Sequence, residues 1–240
     1  MQAIIMAAGK GSRLGNLTDN IPKSFIEIEN KKLIEYNIDM LEKYGVTDII
    51  IVTGHMYEQF ENMFQDKPNI TLVYNPFYET SNVLTSYWCG QHKLNQDFIY
   101  IHADTLCDTN IFQELLETQG DIVLPVDFGP CDEEAMKVII DNNRVVKINK
   151  TMDPRSADGE FIGIAKISHR CLSRLNSTTI NILKDKNFKA FFEVAIQKMI
   201  DNEEDLIKAI PTRGKFWCEI DFIDDYIDAK KNISETLLNL

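Results

Sequence analysis

Short apolar runs and longer amphipathic stretches alternate along the first half of the chain. Residues 3–7 form a continuous apolar run, the pattern of a strand buried on both faces. Ile34, Ile38 and Leu41 recur at helical spacing, and Gly45 stands where such a helix would end. Residues 49–53 then read as a strand, 56–64 as a helix with Met56, Phe60 and Phe64 on one face, and 71–75 as a strand. The same alternation predicts a helix over 81–94, a buried strand over 98–102, a helix over 111–117 and a strand over 121–126. The pattern then changes. Segments 136–140 and 144–148 flank Asn142-Asn143, a hairpin signal, and 161–168 follows as a strand. Helices over 190–200 and 222–231 close the chain, with a strand over 216–220 between them.

This order is that of βαβ units: an α/β chain with a mostly parallel central sheet, helices on both faces and a small β-rich insertion. At 240 residues and 44% hydrophobic content, residues 1–240 suit a single domain. No repeat, linker or low-complexity segment interrupts it. The net charge of -12 disfavours a nucleic acid polymer or an anionic membrane as partner. Cys89, Cys107, Cys131, Cys171 and Cys218 are scattered, without a C-x-x-C pair, so neither a disulfide framework nor a zinc site is expected. The four histidines show no metal-ligand spacing. No apolar run reaches membrane-spanning length and no signal-type segment opens the chain, so a cytoplasmic protein without membrane insertion is expected. The sequence leaves the oligomeric state open, a homodimer included.

The first strand breaks into Ala8-Gly9-Lys10-Gly11-Ser12-Arg13-Leu14-Gly15, with Pro22-Lys23 downstream. Glycines let the backbone approach a ligand and aim N–H groups into a concave anion site, and Arg13 and Lys23 add positive charge in an acidic chain. The dinucleotide fingerprint is excluded because Leu14 stands where a third glycine is needed, and the Walker loop by its spacing. An ordinary strand-to-helix turn with two solvated cations remains the plain alternative. Further on, Ile99-Tyr100-Ile101-His102-Ala103-Asp104 and Trp217-Cys218-Glu219-Ile220-Asp221 each end an apolar strand in a carboxylate, where ligands gather in open α/β sheets. Asp104 equally suits a turn and Asp221 a helix N-cap.

Ala7-Ala8-Gly9-x-Gly11-x-Arg13-Leu14 followed by Pro22-Lys23 resembles the signature of the nucleotidyltransferases that join a nucleoside triphosphate to a phosphorylated small molecule. Asn75-Pro76-Phe77-Tyr78, Asn82 and Ser86, with Asp158 to Lys166, resemble more narrowly the bacterial cytidylyltransferases that act on choline phosphate and 2-aminoethylphosphonate. The resemblance covers nearly the whole chain. It implies a Rossmann-like nucleotidyltransferase fold, a nucleotide-binding part over about 1–127 and an acceptor-side part over about 128–240. It also implies magnesium held by Asp104 and Asp221, and transfer of CMP from CTP to a small phosphorylated or phosphonate acceptor with release of pyrophosphate, for decoration of a surface glycan or lipid. Lys23 and Arg13 would stabilise the transition state together with the metal ligands. The acceptor's phosphate is already anionic, so no general base is needed.

Ala8, Gly9, Lys10, Gly11, Ser12, Arg13, Lys23, Ser81 and Asn82 are the expected nucleotide contacts. Asn82 could read cytosine through its paired donor and acceptor, or simply cap a helix. On the acceptor side the candidates are Glu160, Lys137, Tyr78 and Trp217, with Trp88 and Phe128 as further aromatics. A carboxylate at 160 suits an amine or quaternary ammonium. Met136-Lys137 departs from the aromatic pattern of a choline pocket, and a cation there suits a carboxylate-bearing acceptor such as L-glutamine phosphate. Lys137 is otherwise a solvated strand residue. A sugar-1-phosphate nucleotidyltransferase and a non-catalytic nucleotide-binding module are the alternatives.

Overall fold

The computed structural model describes residues 1–202 and 205–240. The first half contains β1 (Gln2–Ala7), a short ribbon of β2 (Glu27–Ile28) and β3 (Lys31–Lys32), α1 (Leu33–Lys43), β4 (Asp48–Thr53), α2 (Tyr57–Phe64), β5 (Ile70–Tyr74), α3 (Val83–Gly90), β6 (Phe98–His102), β7 (Thr105–Cys107), α4 (Thr109–Glu117) and β8 (Ile122–Phe128). The second half adds β9 (Lys137–Asp141), β10 (Arg144–Asn149), β11 (Gly159–Phe161), β12 (Ile164–Ile167), α5 (His169–Lys184), α6 (Phe192–Asp201), β13 (Ile207–Pro211), β14 (Trp217–Glu219), α7 (Ile223–Asn232) and α8 (Glu235–Leu238). Among the described residues no helix is long and apolar enough to cross a membrane.

The main sheet runs in the order β11-β9-β10-β13-β8-β12-β6-β1-β4-β5. Its β6-β1-β4-β5 side is wholly parallel, as is the β8–β13 pair. The remaining pairings are antiparallel, and the expected β-rich insertion accounts for most of them. β12 lies antiparallel between β6 and β8, and β9, β10 and β11 pair antiparallel around them. Strand direction is not encoded in hydrophobic pattern, because a strand buried on both faces looks the same in either sense.

Period-two alternation divides the core. In β1, Ile4 and Met6 join one buried cluster with Leu84, Tyr87, Leu172, Leu175, Phe192 and Ala195, so α3, α5 and α6 cover that face. Ala3, Ile5 and Ala7 join the other with Ile34, Ile38, Phe60, Phe64, Ile111 and Phe112, from α1, α2 and α4. Both faces are therefore closed by helices, as the βαβ order predicts.

Several elements differ from the sequence reading. Residues 169–184 form α5, at 16 residues the longest helix among those described, where no element is expected. Its buried Cys171, Leu172, Leu175, Ile182 and Leu183 do keep helical spacing, and Ser168 caps it by accepting from Arg170 N, but Thr178-Thr179-Ile180 lowers its local helix propensity. The expected strand over 161–168 is interrupted: the five steps from Phe161 to Lys166 face three steps from Val126 to Val123 of β8, a bulge centred on Ile162-Gly163. Gly163 has φ +81°, and a Cβ there would lie 2.8 Å from His102 Nδ1, so only glycine fits beside that ring. Strands β2, β3, β7 and β13 and helix α8 are likewise unforeseen.

The β9–β10 hairpin turns at Asn142 and Asn143, both with positive φ as a tight turn of this type requires. Lys137, at the start of β9, is neither an acceptor contact nor solvated. It is fully buried, and its ammonium donates to the carbonyls of Glu133 (2.9 Å), Ala135 (3.0 Å) and Lys150 (2.9 Å). All three of its N–H bonds are thus spent on pinning the 131–135 loop to the end of β10. Lys137→Met, which keeps the volume but strips three carbonyls of their donor, is expected to cost about 3 kcal/mol, measured as a lowered urea midpoint at unchanged slope.

Candidate active site

The loop after β1 packs as tightly as its glycines allow. Gly11 has φ +65°, and a Cβ there would fall 3.0 Å from both Lys23 Cβ and Thr18 Cγ2. The Thr18 hydroxyl reaches back to Gly11 O (3.0 Å) and Gly15 O (3.3 Å). Gly11 therefore lets the Lys23 stem lie directly against the loop, which links the glycine motif to the Pro-Lys pair in space. Gly9 has open space on its Cβ side.

The aspartates meet through a ribbon. β7 continues from the turn after β6 and pairs antiparallel with β14, Thr105 facing Glu219 and Cys107 facing Trp217. Ile220 N donates to Asp104 O at 3.1 Å, so the chain leaving β14 passes beside the end of β6. Lys23 Nζ then lies between the two carboxylates, bonded to Asp104 and, at 2.5 Å, to Asp221 Oδ1. Arg13 Nη2 holds the other oxygen of Asp221 at 2.7 Å, with its guanidinium 4.7 Å from the Phe222 ring centre. Asp221 does not cap the following helix: it stands one residue before the N-cap position, Phe222, and its oxygens are taken by Lys23 and Arg13, while the Asp225 carboxylate reaches back to accept from Asp221 N (2.9 Å) and Phe222 N (2.7 Å). Burial pushes the Asp104 carboxyl up, but the adjacent Lys23 ammonium and His102 outweigh it and hold the group below its ordinary value. Lys23 is raised by the same pairing despite its burial.

Behind Asp104, His102 Nδ1 lies 3.2 Å from Glu219 Oε1 and Nε2 lies 2.9 Å from the Tyr100 hydroxyl. The Glu193 carboxylate stands 3.9 Å from Nε2. Glu160 is lifted to about 7, by burial first and then by the neighbouring Glu219, Asp132 and Asp127 charges. Arg13, Lys23, His102, Asp104, Glu160, Glu193, Glu219 and Asp221 all line one cavity of about 710 Å³.

Ala8, Gly9, Lys10, Gly11, Ser12, Arg13, Lys23, Tyr78, Ser81, Asn82, Asp104, Glu160, Trp217 and Asp221 all line that cavity, as expected. Lys137, Trp88 and Phe128 do not. Asn82 takes up its capping role, accepting from Val83 N at 2.8 Å and donating to Lys189 O at 3.3 Å, so much of its capacity to read a base is already used. Ser81 donates to Phe77 O at 2.7 Å. Lys10 pairs with Glu79 at 2.5 Å on the exposed rim. Lining residues to which sequence reasoning gave no role include Lys150, Phe191, Glu193, Glu219 and Asp225, and Asn75 was read only as part of a motif. Asn75 is fully buried and organises the 75–86 segment, accepting from Phe77 N (2.8 Å) and donating to Ser86 Oγ (3.0 Å). Glu193 carried a signal: it is a charged residue on the buried face of α6, beside Phe192, Ala195, Ile196 and Met199.

Two donor sets suit a divalent cation. Asp104 and Asp221 converge on one point, shown by their shared grip on Lys23 Nζ, and offer the hard oxygen donors that magnesium takes. His102, Asp104 and Glu219 bring ligand atoms within 4.8 Å of one another, but the His102 nitrogens are engaged with Glu219 and Tyr100. The aspartate pair fits magnesium better.

Residues 3–180 match the model of the MobA-like NTP transferase domain family. The chain belongs to that family. This NTP transferase domain is 28% identical over 247 residues to the CTP:phosphoglutamine cytidylyltransferase of Campylobacter jejuni, covering 94% of this chain and 97% of that one. It is 38% identical over 113 residues to the choline-phosphate cytidylyltransferase of Streptococcus pneumoniae, an alignment covering 47% of this chain and 48% of that one. Its fold superposes on the solved CTP:phosphocholine cytidylyltransferase of Streptococcus pneumoniae with a TM-score of 0.83 at 26% identity, covering 97% of this chain and 99% of that one. The Rossmann-like nucleotidyltransferase fold expected from the glycine motif is the fold observed.

His102 gives this NTP transferase domain a pH signature. Burial alone would lower the imidazole, but Glu219, Glu193 and Asp104 outweigh it and raise the group from 6.5 to about 9. Its contribution to stability is therefore complete below pH 6.5 and is lost as pH rises through about 9. Urea unfolding at stepped pH is expected to show falling stability across that window, and His102→Gln is expected to flatten the slope.

Proposed function

We propose that the chain is a magnesium-dependent cytidylyltransferase that transfers CMP from CTP to a small phosphorylated or phosphonate acceptor and releases pyrophosphate. The observation that carries this reading is the meeting of Lys23, Arg13, Asp104 and Asp221 at the mouth of the glycine loop, in one cavity with Glu160 and Glu219. The relatives named for CTP support the choice of base. Backbone N–H groups of 8–13 would hold the triphosphate. Asp104 and Asp221 would hold magnesium, which when bound offsets phosphate charge and orients the α-phosphate.

An oxygen of the acceptor's phosphate attacks the α-phosphorus, the bond from that phosphorus to the bridging oxygen of the β-phosphate breaks, and pyrophosphate leaves. Lys23 and Arg13 supply positive charge beside the phosphates as negative charge shifts toward the leaving group. No side chain needs to take a proton, because the attacking oxygen is ionised at neutral pH. The nucleotide side falls within 1–127 and the acceptor side within 128–240, with Asp221 returning from the second part to the first. The proposed setting is the cytoplasm and the proposed product an activated head group for a surface glycan or lipid.

A sugar-1-phosphate acceptor is disfavoured by the carboxylates of Glu160, Glu193 and Glu219, which suit a cation better than a neutral hexose. A non-catalytic module is disfavoured because the cradle cations and both aspartates converge. Pyrophosphate release, measured with magnesium over four nucleotides and phosphocholine, 2-aminoethylphosphonate, L-glutamine phosphate and glucose 1-phosphate, is expected to require CTP and a non-sugar acceptor. Asp104→Asn and Asp221→Asn are each expected to lower kcat by about a hundredfold or more. Turnover confined to glucose 1-phosphate with UTP overturns the reading.

A further inference from the structure

We infer that Glu193 makes the acceptor pocket select a cationic group that still carries N–H hydrogens, a primary to tertiary ammonium, over a quaternary one. The inference rests on the cytidylyltransferase reading above and concerns the acceptor end of the same cavity.

Glu193 is the second residue of α6 and is 2% exposed, yet it lines the cavity. Among the described residues, no other residue donates a hydrogen bond to either of its carboxylate oxygens. Its nearest cation is His102, 3.9 Å away, whose two ring nitrogens are already directed at Glu219 and the Tyr100 hydroxyl. Buried polar groups in folded chains are nearly always partnered, and a buried carboxylate without a donor works against folding. A group retained in that condition at a cavity wall suits a donor that arrives with the ligand. Burial also pushes the Glu193 carboxyl up, which an incoming cation would reverse.

The chemistry of the wall separates two kinds of cation. A primary ammonium offers three N–H donors and can satisfy Glu193 while sharing the field of Glu160 and Glu219. A trimethylammonium offers none and relies on aromatic faces instead. Among the aromatics that line the cavity, Phe161 is almost fully buried and Phe191 already has the Lys150 ammonium 5.4 Å from its ring centre, with Lys150 paired to Glu134 at 3.0 Å, which leaves the half-buried Phe216 and Trp217 as the aromatic faces nearest Glu219 in sequence. The aromatic surface is therefore partly taken while the carboxylate is free to accept, the reverse of what a quaternary head needs.

The test is a methylation series. CTP-dependent pyrophosphate release is measured with phosphoethanolamine, its N-methyl and N,N-dimethyl forms, and phosphocholine, for the wild type, Glu193→Gln and Glu193→Leu. For the wild type kcat/KM is expected to fall about tenfold or more at the last methylation, where the final N–H is lost, and chiefly through KM. In both variants that step is expected to shrink to about threefold or less, with thermal midpoints no lower than wild type because a buried unpaired charge has gone. A wild-type preference for phosphocholine, or an unchanged ratio in the variants, overturns the inference and leaves the cytidylyltransferase reading standing. Absence of release with every acceptor overturns that reading instead. Calorimetric binding of the same four phosphates, which needs no turnover, then decides the role of Glu193 by the same ratio.

Discussion

The grip of Asp104 and Asp221 on a single ammonium, that of Lys23, is the constraint on which the site depends. Three segments remote in sequence must arrive together for it to form: the residue after Pro22, the turn beyond β6, and the end of β14. Each is delivered by a separate local device. Gly11 clears the space for the Lys23 stem, the parallel pairing of β1 with β6 sets Asp104 beside the loop, and the β7–β14 ribbon carries Asp221 back to the same point. Asp225 completes the arrangement by accepting from the backbone N–H groups of Asp221 and Phe222, which fixes the chain where Asp221 stands. Two carboxylates this close repel unless a cation lies between them, so Lys23 holds apart and in place the oxygens that suit a hard divalent ion.

What could be foreseen follows the range of the interactions. The cradle is local: 8–13 lies in one loop and its glycines speak for themselves, so its place at the end of β1 was legible. Asp104 and Asp221 were legible as strand-terminal carboxylates, but their meeting was not, because it runs through a ribbon whose strand Thr105–Cys107 is too short to show periodicity. Lys137 was misjudged for a related reason. A lysine is solvated by default, and only the fold reveals three carbonyls aimed at one point. Glu193 shows the converse, since one acidic residue in an otherwise apolar helical stripe breaks the local rule, and such breaks mark strained or functional positions. The sense of β12 and the bulge at Gly163 lay beyond reach, as both are set by partners rather than by the segment itself.

The acidity of the protein and the anionic nature of the proposed nucleotide are reconciled by where the charge lies. Lys10, Arg13 and Lys23 gather on the loop side of the cavity, whereas Glu160, Glu193 and Glu219 gather on the side built by β11, α6 and β14. The net charge of -12 would slow the approach of a triphosphate at long range, so capture relies on donors that act at contact distance. The loop cations are themselves paired, Lys10 with Glu79 and Lys23 and Arg13 with Asp104 and Asp221, so the backbone N–H groups and a metal held by the aspartates would supply much of the attraction for phosphate.

The placement of these groups also orients what enters the cavity on the proposed reading. An acceptor with phosphate at one end and a cation at the other is favoured in one direction only, phosphate toward the cradle and cation toward the carboxylates, and that direction presents the attacking oxygen to the nucleotide. The carboxylates that produce this bias are unfavourable to the empty fold: Glu160 is raised to about 7 by burial and like charge, and Glu193 accepts no hydrogen bond from another of the described residues. On the proposed reading, an acceptor that neutralises them recovers free energy which a neutral sugar phosphate could not, and discrimination against hexose phosphates would arise from destabilisation already present in the protein rather than from added contacts.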